Sequence, residues 1–177
     1  MAQTVHLLGT NHGYQFGVGA QLNRNRTCSE HDVQLFRKTL LALCHSLKVT
    51  AIAEEMNADA LAEHSIVSTV PQAVAASLAI AHKHCDPDRK AQAALGIADE
   101  NGVIAMNCMS GRSKREVRAL VYEERRKREP YWKSELEALG VWPVLFICGS
   151  WHVPSFLSLR TSAAGYSTTV VHSSWHA

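Results

Sequence analysis

A chain of 177 residues that is 46% hydrophobic and 19% charged is long enough to bury one substantial core and short for two. Those proportions exclude a disordered chain, and a formal net charge of +2 gives no electrostatic reason to expect a nucleic-acid partner. Cys28, Cys44, Cys85, Cys108 and Cys148 include no CxxC pair, which excludes a zinc ribbon and suits reduced thiols.

Gln3 to Leu8 reads as a short strand that stops at Gly9. "GTNHGYQFGVGAQLNRNR" follows as a long connection rich in Gly and Asn, the kind that often carries function. Thr27-x-x-Glu30 has capping-box spacing and announces a helix whose stripe is Val33, Phe36, Leu40, Leu43, Cys44 and Leu47. "VTAIAEEMN" is a second strand, apolar until Glu54 and Glu55. Residues 57 to 84 are alanine-rich and read as helical, with a helix start at Pro71. Asp86-Pro87 interrupts that pattern, with Asp86 expected to cap a short helix reaching Leu95. "NGVIAMNC" reads as a third strand. Ser113-x-x-Glu116 opens a further helix, which Pro130 should kink or restart and Gly140 should end. "VWPVLFIC" is the fourth strand, "VPSFLSLRTSAAG" a helix ending at Gly165, and "YSTTVVHSSW" the last strand.

Strands that alternate with helices, several of them apolar on both faces, predict one α/β domain over residues 1–177 with a mostly parallel central sheet and helices on both faces. No apolar run reaches the about 20 residues of a membrane helix. The start "MAQTVHLLGTNH" lacks a basic segment followed by an apolar one. A cytoplasmic protein with no membrane partner is expected.

Ligands bind parallel sheets at the carboxyl ends of the strands. Gly9-x-x-His12 and Gly149-x-x-His152 both follow predicted strands, and Glu54-Glu55 follows another. A parallel sheet would gather them on one rim, where imidazoles serve as bases or metal ligands. Glycine there is expected to let the chain turn sharply. Alternation along a strand would point one of the two glutamates to solvent. In the charge-dense "YEERRKREPYWK", Arg128, Glu129 and Trp132 bracket Pro130, and an arginine there could steady a carboxylate or an anion. His82, His84, Cys85 and Asp86 lack a second cluster at ligand spacing, so His84 and Asp86 are expected to shape a turn. No GxGxxG loop and no GxSxG elbow is present.

"HLLGTNH", "AIAEEMN" and "VLFICGSWHVPSF" resemble the three signatures of the TraB/TIKI-like superfamily, which includes ChaN-like and erythromycin-esterase-like proteins. The resemblance favours Glu55, followed by Asn57, over Glu54, and allows Arg128 or Arg126 in a supporting role with Glu129. It implies a rim site with peptide, amide or ester hydrolysis, or binding of haem or iron. The chain is shorter than many members, so a substrate class is not carried over.

Two versions of a hydrolase follow. In one, His12, Glu55 and His152 hold a divalent ion (Mn, Co or Zn) with an open position for water, and Arg128 steadies the oxyanion. In the other, His12 or His152 is the general base, oriented by Glu55. The partner would be a small-molecule or peptide substrate. The alternative is a protein that binds haem, metal or a small anion on the same rim without turnover.

Overall fold

The computed structural model describes residues 3–98, 100–161 and 165–177. Strand β1 (Gln3–Thr10) is followed by helix α1 (His12–Phe16) and a small hairpin, β2 (Gln21–Asn23) and β3 (Arg26–Thr27). Helix α2 (Glu30–Ser46), strand β4 (Ala51–Glu54), helices α3 (Ala58–Glu63) and α4 (Val70–Ser77), and strand β5 (Ala81–His84) come next. Four helices then run in succession: α5 (Arg89–Ala94), α6 (Glu100–Met109), α7 (Lys114–Arg126) and α8 (Glu129–Leu139). Strand β6 (Val144–Gly149), helix α9 (Val153–Thr161) and strand β7 (Tyr166–His172) complete the described elements.

Five strands form a parallel sheet in the order β5-β4-β6-β1-β7. Leu8, Ile52, Leu145 and Ile147 on one face pack with Phe36, Leu40 and Val74 of α2 and α4. Leu7, Ala53, Phe146 and Cys148 on the other face pack with Trp132, Leu136 and Phe156 of α8 and α9. Both faces are therefore covered, as an all-parallel sheet requires. Cys28, Cys44, Cys85 and Cys148 are free and buried; the Cys108 side chain lies outside the described residues, as do residues 162–164 of the expected last helix. No helix among the described residues is long and apolar enough to cross a membrane.

The α/β expectation holds, but the membership of the sheet differs. "NGVIAMNC" lies in α6, where Val103 is buried while Met106 and Met109 are exposed. An apolar run alone does not separate strand from helix, and a helix meets its own backbone hydrogen bonds away from the sheet. Here α6 lies against α7, with Glu100 bonded to Arg125 at 2.7 Å. The missing strand is β5, inside the span read as helical. Its alternation of Ala81, His82, Lys83 and His84 sends both imidazoles to one face and Lys83 to the other, where it pairs with Glu135.

Two helix starts differ from expectation. The capping box of α2 is Ser29 with Asp32, not Thr27 with Glu30, because aspartate at the third helical position also reaches back to the cap backbone. Asp88, not Asp86, caps α5. Ser113–Glu116, Pro71, Pro130 and Gly140 act as expected.

Candidate functional site

The register β4-β6-β1 sets Thr10 beside Gly149, and Glu54 beside Ile147. The chain leaves these three neighbouring strands at one rim. After β1, Asn11 caps α1 and places His12 in its first turn. After β6, a single 3-10 turn over Ser150–His152 brings His152 back over the sheet end. After β4, the Glu55 backbone N–H donates to Ile147 O at 2.8 Å.

Both motif glycines are needed for space rather than for a turn. A β-carbon on Gly149 would lie 3.2 Å from His12 Nε2 and 3.4 Å from Glu55 Oε2. One on Gly9 would meet Ser173 O at 2.3 Å and Val153 Cγ2 at 2.5 Å. The expectation of a sharp glycine turn is replaced by one of close approach.

Glu55 is the centre of the cluster. The Gly149 backbone N–H donates to its Oε2 at 2.8 Å. Its Oε1 faces His152 Nε2 at 3.5 Å, His12 Nε2 at 3.7 Å and Arg128 Nη1 at 3.7 Å. These separations are long for direct hydrogen bonds, which leaves both Nε2 atoms available to a ligand. Burial drives the Glu55 carboxyl upward, but the positive charge of His12 and His152 in their protonated forms, with Arg128 and the Gly149 N–H, outweighs it and holds it below the usual glutamate range.

The far nitrogen of each imidazole is tied down. His152 Nδ1 donates to Glu129 Oε1 at 2.9 Å, and Ser155 Oγ donates to the same oxygen. His12 Nδ1 meets Gln15 Oε1 at 2.7 Å, while Gln15 Nε2 donates to Glu54 Oε2 at 3.3 Å. A carboxylate accepts only, so Glu54 orients the Gln15 amide, and that amide oxygen fixes the proton of His12 on Nδ1. Trp132 meets the His152 ring edge-on at a centroid distance of 4.7 Å.

Arg128, not Arg126, faces the site: Arg126 pairs with Glu123 on the surface of α7. Arg128 also holds Asp86 at 3.2 Å. Asp86 accepts from Trp132 Nε1 and Asn57 Nδ2, each at 2.9 Å. Burial pushes the Asp86 carboxyl up despite Arg128. Asp86 is not recognisable as a site residue without β5, whose end it follows by two residues. A polar cleft of about 720 Å³ reaches the cluster at Asp86 and Arg128, with Arg89, Arg125, Glu63 and Glu124 among its walls. His12, Glu55 and His152 do not line that cleft.

The expectation that one glutamate faces solvent is overturned. Glu54 is 0% and Glu55 4% exposed. Alternation sends each to a different buried cluster because both sheet faces are covered. Glu54 Oε1 accepts from His82 Nε2 at 2.8 Å and from Thr69 Oγ1, and His84 Nε2 lies 3.4 Å away. His82 and His84 meet edge to face at 4.7 Å. Burial raises the Glu54 carboxyl, and the contacts from His82, His84 and Thr69 bring it below the ordinary range.

No protein-family model, curated protein or solved structure matches this chain. The functional reading rests on the geometry of the side chains and on the sequence motifs. Among the described residues, Glu54, His82 and His84 form a group that could hold a metal ion, with ligand atoms within 4.8 Å of one another. His12, Glu55 and His152, expected to share an ion, do not form such a group.

Proposed function

We propose that the chain is a hydrolase of an ester, amide or peptide bond, with His12 and His152 as acid–base groups and Glu55 as the carboxylate that holds their charge. One observation carries the reading: two imidazoles, each anchored through Nδ1, turn Nε2 toward the same buried carboxylate oxygen. A water placed there would lose its proton to an Nε2 while its oxygen attacks the carbonyl carbon. The imidazolium formed faces Glu55, and its proton then passes to the leaving alkoxide or amine. Arg128 is the nearest fixed cation for the developing oxyanion.

The superfamily resemblance implies a metal for some members, and the Glu55 cluster does not suit one. An ion bound by Glu55 would sit beside the Arg128 guanidinium, itself 3.7 Å from the same oxygen, and like charges at such range repel. The reading for Glu55 is therefore acid–base catalysis by this chain's own imidazoles. The resemblance of "HLLGTNH", "AIAEEMN" and "VLFICGSWHVPSF" to the TraB/TIKI-like signatures supports hydrolysis.

A panel of chromogenic esters and peptide amides tests it. His12→Ala or His152→Ala should lower kcat/KM by about 10²–10⁴-fold, the usual worth of a positioned acid or base. Unchanged rates in both variants would sink the proposal. A second reading, binding without turnover, is favoured by one observation, the Glu54–His82–His84 group. Metal analysis and an absorption spectrum of the purified protein separate an ion carrier from a haem carrier.

A further inference from the structure

The residue next to Glu55 sits in a different chemical setting. Glu54 ends β4 with its carboxylate on the α4 side of the sheet, completely buried. Parallel pairing sets Glu54 beside His84 and Ile52 beside His82. Side chains two apart on a strand share a face, so both imidazoles of edge strand β5 lean over the same carboxylate. Lys83 between them points to the opposite face.

From this arrangement we infer that Glu54, His82 and His84 form a binding site for a borderline divalent transition ion of the Zn²⁺ type. The distances suit such an ion. Bonds of about 2.0–2.1 Å at tetrahedral angles set neighbouring ligand atoms about 3.3–3.4 Å apart. Here His82 Nε2 and His84 Nε2 lie 2.8 and 3.4 Å from Glu54 Oε1. A shift of about half an ångström in His82 opens the first pair to that spacing. Two imidazoles and one carboxylate select zinc-like ions over Mg²⁺ or Ca²⁺, which prefer oxygen. They leave a fourth position for water or a substrate atom.

Three further observations favour an ion over a purely structural cluster. His84 Nε2 is buried without a hydrogen-bond partner, although it points at Glu54; such atoms are costly unless something satisfies them. Among the described residues no Lys or Arg pairs with Glu54, so no fixed cation competes for Oε1. Thr69 and Gln15 supply outer hydrogen bonds to the carboxylate, the support that orients metal-binding side chains. The His82 and His84 side chains keep 13% and 24% exposure, which gives an ion a path from solvent at the sheet edge. On binding, His82 exchanges its Nε2–H···O bond for an Nε2–metal bond and carries its proton on Nδ1.

The site shares none of His12, Glu55 or His152 with the hydrolase reading, although Gln15 bridges Glu54 to His12. Two measurements test it. Anomalous diffraction at the zinc edge, from crystals of the wild-type protein grown with Zn²⁺, should place a peak bonded to Glu54, His82 and His84. Calorimetric titration of chelator-stripped protein with Zn²⁺ should show one such site. His84→Ala should weaken it by more than the about 10–100-fold that loss of an outer partner costs. A zinc peak at Glu55 alone, or no peak at all, overturns the inference, as does unchanged affinity in both His82→Ala and His84→Ala. If either variant fails to fold, the wild-type diffraction result decides.

Discussion

Glu54 and Glu55 are consecutive, both buried, both held below the ordinary glutamate range, and each faced by two imidazoles. They differ in what else is present. Glu55 has a fixed guanidinium at 3.7 Å, and its two histidines belong to α1 and the turn after β6. Glu54 has imidazoles from a single edge strand and no fixed cation among the described residues. The contrast shows how one step along a strand separates two electrostatic settings. A carboxylate with a resident guanidinium is suited to hold charge that comes and goes on imidazoles. One without it has room for an ion.

The largest effect should come from making Glu55 resemble Glu54. Arg128→Met removes the guanidinium between Glu55 and Asp86 and leaves two buried carboxylates facing each other. It should cost about 3–5 kcal/mol in urea unfolding, as for a broken buried pair. The matching change on the other side, His82→Leu, leaves Thr69 and Gln15 on Glu54. Loss of that hydrogen bond should cost less, about 1.5–3 kcal/mol. Equal costs would mean that Arg128 does not distinguish the two regions.

Acid should weaken both clusters in the same direction. A carboxyl whose folded pKa lies below its unfolded value adds stability that is present above about 4.5, the ordinary glutamate value. That stability is lost as pH falls through the folded values. Asp86, shifted upward, acts in the opposite sense, so Glu54→Gln isolates one contribution. Between pH 6 and about 3 the urea midpoint of wild type should fall further than that of Glu54→Gln. Parallel curves would contradict the assignment of Glu54 as a stabilised carboxylate.

The two glycines sharpen the comparison at smaller energies. Gly9→Ala drives a methyl into a backbone oxygen and should cost about 1–3 kcal/mol by overpacking. Gly149→Ala meets only the tip of His12 and the edge of Glu55. Its stability loss should stay below about 1 kcal/mol, while the proposed hydrolysis should fall because His12 Nε2 is displaced. The smallest effect is expected at Arg126, whose exposed pair with Glu123 makes Arg126→Ala neutral within about 0.5 kcal/mol. The proposed hydrolysis should be unchanged in that variant.

Much of the rim could be read from residue order. Apolar strands ending in Gly9-x-x-His12, Glu54-Glu55 and Gly149-x-x-His152 state where the carboxyl ends are, and a parallel sheet brings such ends together. The choice between the glutamates was not legible from alternation, which assumes one wet face. Covering both faces of β4 buries both side chains, and only the superfamily resemblance separated them. Strand β5 was hidden because "AHKH" is short, polar and placed at an edge, where alanine-rich neighbours imitate a helix. With β5 went the Glu54 partners and Asp86. The opposite error, a strand over "NGVIAMNC", came from an apolar run whose real context is packing against α7.

Imidazole tautomers offer the most direct test of two regions with separate roles. Long-range ¹H–¹⁵N correlation spectra of the metal-free protein, at a pH where the rings are neutral, report which nitrogen carries the proton. The expected result is Nδ1–H for His12 and His152, whose Nδ1 atoms meet Gln15 and Glu129, and Nε2–H for His82, which donates to Glu54. Added Zn²⁺ should convert His82 to Nδ1–H and leave His12 and His152 unchanged. Nε2–H on His12 and His152, or a response to Zn²⁺ at those two rings in place of His82, would contradict the account.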